Sequence, residues 1–220
     1  MSAFPGSPRV IKGGIVLLDP DTFTVLPNGI IVLQYNPDSL ARTFKVKGIE
    51  EGGDRSEALR LTGPPVETIK LDAEIDAADQ LGNTTPDPTT VQYGLFPQIA
   101  ALELLIYPTS ASLQSNYNLS QQGTLEIMPM LSPYTLFVWS ANRIVPVRIT
   151  EFSVTEESFD PTLNPIRAKV SLGMRVLTVD DLYFSDKGGS LYMAYQQQKE
   201  ALARLTQPGT LSALGIRGIP

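Results

Sequence analysis

The sequence predicts a mainly β domain of the α+β kind. Two packed antiparallel sheets, or a partly closed barrel, carry one packed helix, and a C-terminal helix and tail follow. Three observations support this. Residues 66–76 and 166–176 alternate apolar and polar side chains, the period-2 signature of strands with one buried and one wet face. A third long strand begins at Arg143. Between these strands, Leu95, Ile99, Leu102 and Ile106 recur at helical spacing.

Taken in order, residues 11–19 read as a first strand, with Gly13-Gly14 marking a bulge or a close approach. Pro20-Asp21 and Pro27-Asn28-Gly29 are turn signals. Residues 30–35 are dense in β-branched side chains and predict a buried strand. Asn36-Pro37-Asp38 breaks that strand and is suited to capping a short helical turn. Residues 42–48 alternate, with Phe44 and Val46 on one side, and residues 50–57 form a charged loop. Gly63-Pro64-Pro65 leads stiffly into residues 66–76, whose Ile69, Leu71, Ala73 and Ile75 face a core.

Residues 81–90 read as a polar linker. The helix then starts near Phe96 and stops before Pro108, apolar nearly all round, so that both flanks should be covered. Residues 109–133 read as a long polar loop with a short strand at 125–128. Residues 134–139 form an aromatic strand, and Ala141-Asn142 reverses the chain into the strand from Arg143. There the apolar phase slips between Ile149 and Phe152, which predicts a β-bulge. A turn-rich loop at 159–165 precedes the last strand, in which Ile166, Ala168, Val170, Leu172, Met174 and Val176 point inward. Residues 190–205 read as an amphipathic helix, followed by an extended tail. The expected division is a β domain over 1–180 and a helix with tail over 181–220.

Composition narrows the chemistry. The chain has 220 residues, neither cysteine nor histidine, and a formal charge of −6. Thiol nucleophiles, thiolate metal sites and disulfides are excluded, as are the commonest general base and transition-metal ligand. No basic run suggests nucleic acid. No segment approaches the roughly 20 apolar residues of a membrane helix. The N-terminus has no signal-peptide pattern, so synthesis and assembly in the cytoplasm are expected. Asp72, Glu74 and Asp76 share a strand face and could in principle bind Ca²⁺ or act as an acid/base pair. Lys70 shares that face, however, and no ligand loop follows, so a solvated face is the preferred reading. Asp19-Pro20-Asp21 and Asp180-Asp181 read as turns, and Glu156-Glu157 with Asp160 as a surface charge cluster. Trp139 could stack a sugar but is expected in the core. No catalytic residue, cofactor or metal is expected.

The order of the motifs carries a resemblance. Gln34-Tyr35-Asn36-Pro37 ends a strand, and Gly63-Pro64-Pro65 feeds an alternating strand followed by an apolar helix. Pro133-Tyr134-Thr135-Leu136-Phe137-Val138-Trp139 comes next, then the strand from Ile144 to Val154, then Pro165-Ile166-Arg167-Ala168-Lys169-Val170-Ser171-Leu172. This resembles the tube and baseplate proteins of contractile injection systems, relatives of phage tails, over residues 11–176. The resemblance implies a tail-tube-like fold that self-associates into a hexameric ring around a lumen. It also implies partnership with a hub or spike protein and with inner-tube protein, at the baseplate of an injection particle. Many such proteins end in a glycan-binding LysM module. Too little chain follows Val176 for one, so that property is not carried over. Residues 109–133 exceed the family pattern and suggest a contact particular to this chain. Two polar faces are candidate lumen or stacking surfaces: Thr68, Lys70, Asp72, Glu74 and Asp76, or Arg167, Lys169 and Arg175. The alternatives are the repeating inner-tube subunit and, from another class, a glycan-binding or glycan-active β-sandwich using Trp139 and the acidic face.

Overall fold

The computed structural model describes residues 10–48, 60–82, 85, 87–121 and 132–219. The strands are β1 (Gly14–Leu18), β2 (Val25–Val32), β3 (Leu40–Lys45), β4 (Val66–Asp76), β5 (Tyr134–Ser140), β6 (Arg143–Phe159) and β7 (Pro165–Val176). The helices are α1 (Ala78–Leu81), α2 (Pro88–Tyr93), α3 (Phe96–Glu103), α4 (Ser110–Gln121) and α5 (Lys187–Ala203). All seven strands join one antiparallel sheet in the order β2-β1-β5-β6-β7-β4-β3, rather than two sheets stacked face to face.

The alternating patterns place the core. Ile69, Leu71 and Ala73 of β4 are buried with Ala168, Val170, Leu172, Met174 and Val176 of β7, and Ile75 and Ile166 are half-buried beside them. Val145 and Val147 of β6 and Phe137 of β5 complete the same face. The pairing of β6 with β7 slips between Ile149 and Glu151, the bulge that the change of phase predicts. Gly13 and Gly14 are a close approach. A Cβ on Gly14 would stand 2.5 Å from the Ile31 carbonyl oxygen, and one on Gly13 2.8 Å from the Trp139 ring.

Several expectations are corrected. Residues 30–32 belong to an edge strand and not to a buried one. Ile30 and Val32 are exposed and Ile31 is half-buried, because β2 pairs only with β1. Pro27-Asn28-Gly29 lies within β2 and not before it. Val25 pairs with Leu18 and Ile30 with Val16, so the intervening residues bulge out of the ladder, with Asn28 at φ 57°. Asn36 caps no helix; its side chain bonds the first strand's approach instead. The linker expected at 81–90 holds the end of α1 and the start of α2. There Asp87 accepts the Thr90 N–H at 3.1 Å and Pro88 fills the first helical position.

The helix α3 turns its Leu95–Ile99–Leu102 stripe inward as predicted, but the last buried member is Leu105 and not Ile106. The regular helix ends at Glu103 and tighter turns over 104–106 rotate the stripe. Its outer flank is not covered among the described residues: Phe96, Leu104, Ile106 and Tyr107 are exposed. In place of the first part of the expected 109–133 loop stands α4, opened by Thr109, whose hydroxyl oxygen accepts the Ser112 N–H at 3.1 Å. The expected strand at 125–128 and the whole charged loop at 50–57 fall outside the described residues. The α5 helix starts at Lys187, earlier than expected, and buries Tyr192 and Tyr195 in the core shared by the sheet. The tail after it is exposed, with a short 3₁₀ turn at Leu211–Leu214.

Candidate functional site

The side of β4, β7 and β6 turned away from the core is one continuous polar surface. Because β7 lies between β4 and β6, the two polar faces read separately from the sequence are a single face. Register stacks their residues in rows across three strands. Arg148 meets Arg175 and Thr68; Glu151 meets Gly173 and Lys70; Ser153 meets Ser171 and Asp72; Thr155 meets Lys169 and Glu74; Glu157 meets Arg167 and Asp76. Five cations (Lys70, Arg148, Arg167, Lys169, Arg175) therefore share the face with five carboxylates (Asp72, Glu74, Asp76, Glu151, Glu157).

The pairs are cross-strand and local. Arg167 donates to Asp76 Oδ2 from Nε at 3.0 Å and from Nη2 at 2.8 Å, and Lys169 reaches Glu157 at 3.0 Å. Ser171 donates to Asp72. Lys70 reaches Glu151 at 2.6 Å although the two stand on strands separated by β7, a spacing of about 10 Å. Gly173 lies between them, and a Cβ there would come within 2.8 Å of the Glu151 Cβ, so the glycine opens the path. The Ala78 backbone N–H, followed by Arg167, holds the Asp76 carboxyl below its usual range, and Asp76 in turn holds Arg167 above its own.

The second component is the pair of open edges. Among the described residues no strand pairs with the outer side of β2 or of β3. The β2 edge is apolar, with Ile30 at 61% and Val32 at 56% exposure, whereas β3 carries Arg42, Thr43 and Lys45.

Gln34-Tyr35-Asn36 performs a structural task at the end of β2. The Gln34 amide donates to the Asp76 carbonyl at 2.7 Å and accepts the Asp76 N–H at 2.9 Å, as a paired strand residue would. Asn36 accepts from the Gly13 N–H at 3.0 Å and donates to the Ile11 carbonyl at 2.8 Å. Tyr35 donates to Asp79 at 2.5 Å, which pushes the Tyr35 phenol above its ordinary range. The motif thus clasps the chain leading into β1 to the far end of β4, so the sheet is curved enough to bring β2 to the end of β4.

One cluster escaped the sequence reading. Glu67, in the same phase as Ile69 and Leu71, is only 3% exposed. Arg42 of β3 pairs with it at 2.6 Å, the Tyr195 hydroxyl donates to it at 3.2 Å, and Lys199 approaches at 3.4 Å. Lys199 also stands 4.0 Å over the Tyr195 ring. Burial, reinforced by the Glu67 charge, pushes the Tyr195 phenol up to about 12. Burial pulls the Lys199 amine down despite Glu67. The visible signal was Glu67 itself, a carboxylate in the apolar phase of β4.

The remaining singled-out residues are dispersed. Asp19 accepts the Thr22 N–H at 2.8 Å and the Asp21 N–H at 3.0 Å, closing a turn. Asp181 accepts the Thr178 N–H at 3.0 Å and pairs with Arg175. Asp160 directly follows the end of β6 that carries Glu156-Glu157. It closes the turn between β6 and β7, where the Asn164 amide and the Asn164 and Thr162 N–H groups hold its carboxyl at about 2. Trp139 is half-buried, stacked beside Phe137 with ring centroids 6.0 Å apart and lying against Gly13, so its ring is part of the core margin. Among the described residues no three acidic side chains converge as a metal site. No protein-family model matches the chain, and no curated protein matches it.

Proposed function

We propose that this chain is a structural ring subunit of a contractile injection system, seated between the baseplate hub or spike and the inner tube. The observation that carries the reading is the single curved sheet, which presents one wet, charge-balanced face and, among the described residues, ends in two unpaired edges. Such edges differ in chemistry, so joining one copy's β2 side to the next copy's β3 side is a head-to-tail contact, the kind that closes rings. The balanced polar face then suits the wall of a lumen, offering water and passing cargo no large field of one sign. The order of the sequence motifs adds independent support. In this role the chain performs no chemistry and needs no cofactor.

Native mass spectrometry and negative-stain electron microscopy of the purified chain, alone and mixed with hub and inner-tube proteins, test the reading. A hexameric ring, one per particle at the tube base, is the expected result. Many stacked rings would make the chain the repeating tube subunit instead. A strict monomer that joins neither partner would remove both readings, and a glycan pull-down would then become the informative next measurement.

A further inference from the structure

We infer that the C-terminal tail, residues 206–219, docks in the crevice between the β2 edge and α3 of a second copy of this chain. The crevice has a volume of about 460 Å³ and is walled by Ile31, Leu33, Ile75, Ala101 and Leu102. It therefore has the size and apolar lining of a ligand-sized recess. Gln98, also in its wall, has a buried Oε1 with no hydrogen-bond donor among the described residues, a costly arrangement that an arriving N–H group would relieve. The neighbouring β2 edge leaves backbone donors and acceptors free among the described residues, so an extended segment can add along it.

The tail has the complementary chemistry. Leu211, Leu214, Ile216 and Ile219 are exposed, as is every residue from 201 to 219. Its turn is pre-formed: Thr210 caps the Ala213 N–H, and Gly215 takes the left-handed conformation at φ 73°. Ordering it on a surface thus costs less than ordering a free coil. Arg217 is the only charge between residues 206 and 219, and the crevice lining carries Asp79, the carboxylate that accepts from Tyr35. The cation in that lining, Lys12, is held by the Gln34 carbonyl at 2.8 Å. A second copy is the occupant because the chain's own tail is exposed and contributes no residue to the lining of its own crevice, while its single charge is opposite in sign to Asp79 in that lining. The inference rests on the self-assembly reading and names one of its contacts.

The absence of cysteine gives a clean background for disulfide trapping. Full-length chains carrying Ala101→Cys are mixed with differently tagged full-length chains carrying Leu214→Cys under mild oxidation. Trapped heterodimer should exceed by about tenfold the yield with Leu163→Cys, an exposed control away from the crevice, as a raised effective concentration requires. Adding Arg217→Glu to the tail should lower the trapping rate, and Asp79→Lys on the crevice should restore it. A yield no better than the control overturns the inference. So does a chain carrying both cysteines that closes only within itself. Rings that form without trapping leave the assembly reading intact and remove only this contact. Trapped pairs that never grow into rings keep the contact and remove the ring.

Discussion

Strand β4 carries carboxylates on both of its faces, and they lead different lives. Glu67 points into the core and is met by Arg42 from β3 and by Tyr195 and Lys199 from α5, residues 25, 128 and 132 positions away in the chain. Asp72, Glu74 and Asp76 point outward and meet residues that antiparallel register places opposite them. One residue type therefore does two jobs, decided by strand phase alone. On the outer face charge is largely solvated, as at Lys70 and Glu151, and so cheap to replace. On the inner face it is desolvated, so its value lies in what its removal would strand. Glu67 is the polar bolt between the C-terminal helix and the sheet.

The largest effect should come from Glu67→Ala. It leaves Arg42 and Lys199 facing a buried hole without their counter-charge, with a cost of about 3 kcal/mol in urea unfolding. The low end of the range for broken buried pairs applies because both cations keep some solvent contact, 24% and 34% of their side chains. Glu67→Gln, which keeps the shape and most hydrogen bonds, should cost less. A loss for Glu67→Ala no greater than that for Glu156→Ala on the surface would abolish the contrast between the faces.

Alkali should probe the same bolt more gently. The folded-state pKa of Tyr195, about 12, lies above its ordinary value of 10.0, so the folded protein holds this proton longer than the unfolded chain. The corresponding stability is present in full below pH 10.0 and is lost as pH rises toward 12, on the order of 2–3 kcal/mol. Lys199 works in the opposite sense. Its folded pKa is depressed, so the unfolded chain binds its proton more tightly and raising the pH relieves part of its burial cost. Tyr195→Phe should remove the steep tyrosine component and cost about 1 kcal/mol at neutral pH through the lost hydrogen bond. Alkaline unfolding curves of the two proteins that superimpose would show that Tyr195 does not report on the bolt.

How much of this was legible in the sequence follows the same division. The outer face and the core positions of β4 and β7 could be read from period-2 alternation, because local geometry fixes them. The bulge near Thr150 was legible because a bulge must shift the phase of the side chains. What escaped was decided by contacts distant in sequence. Ile30 and Val32 looked buried, but whether an apolar run is central or at an edge depends on strand order, which no local pattern encodes. The α4 helix hid in a Ser/Asn/Gln-rich stretch with no buried face to create a period. The two polar faces form one surface because β7 pairs with β4, a neighbour relation that no local pattern encodes. The Glu67 cluster required knowing that Arg42 and α5 meet at one spot.

The smallest effect, and the one closest to function, is the coupling between Lys70 and Glu151. Their side chains are 57% and 64% exposed, so a double-mutant cycle on the free chain should return at most about 0.5 kcal/mol, shrinking further with added salt. The same cycle on assembled particles separates two fates for this face. If it lines a water-filled lumen, the pair stays hydrated and the coupling stays small. If a neighbouring protein covers it, desolvation deepens both the attraction and the penalty for a lone charge, and the coupling should rise severalfold, toward the behaviour of Glu67. A coupling that is already large in the free chain would mean that the outer face is not the cheap surface its exposure implies, and the contrast drawn along β4 would fail.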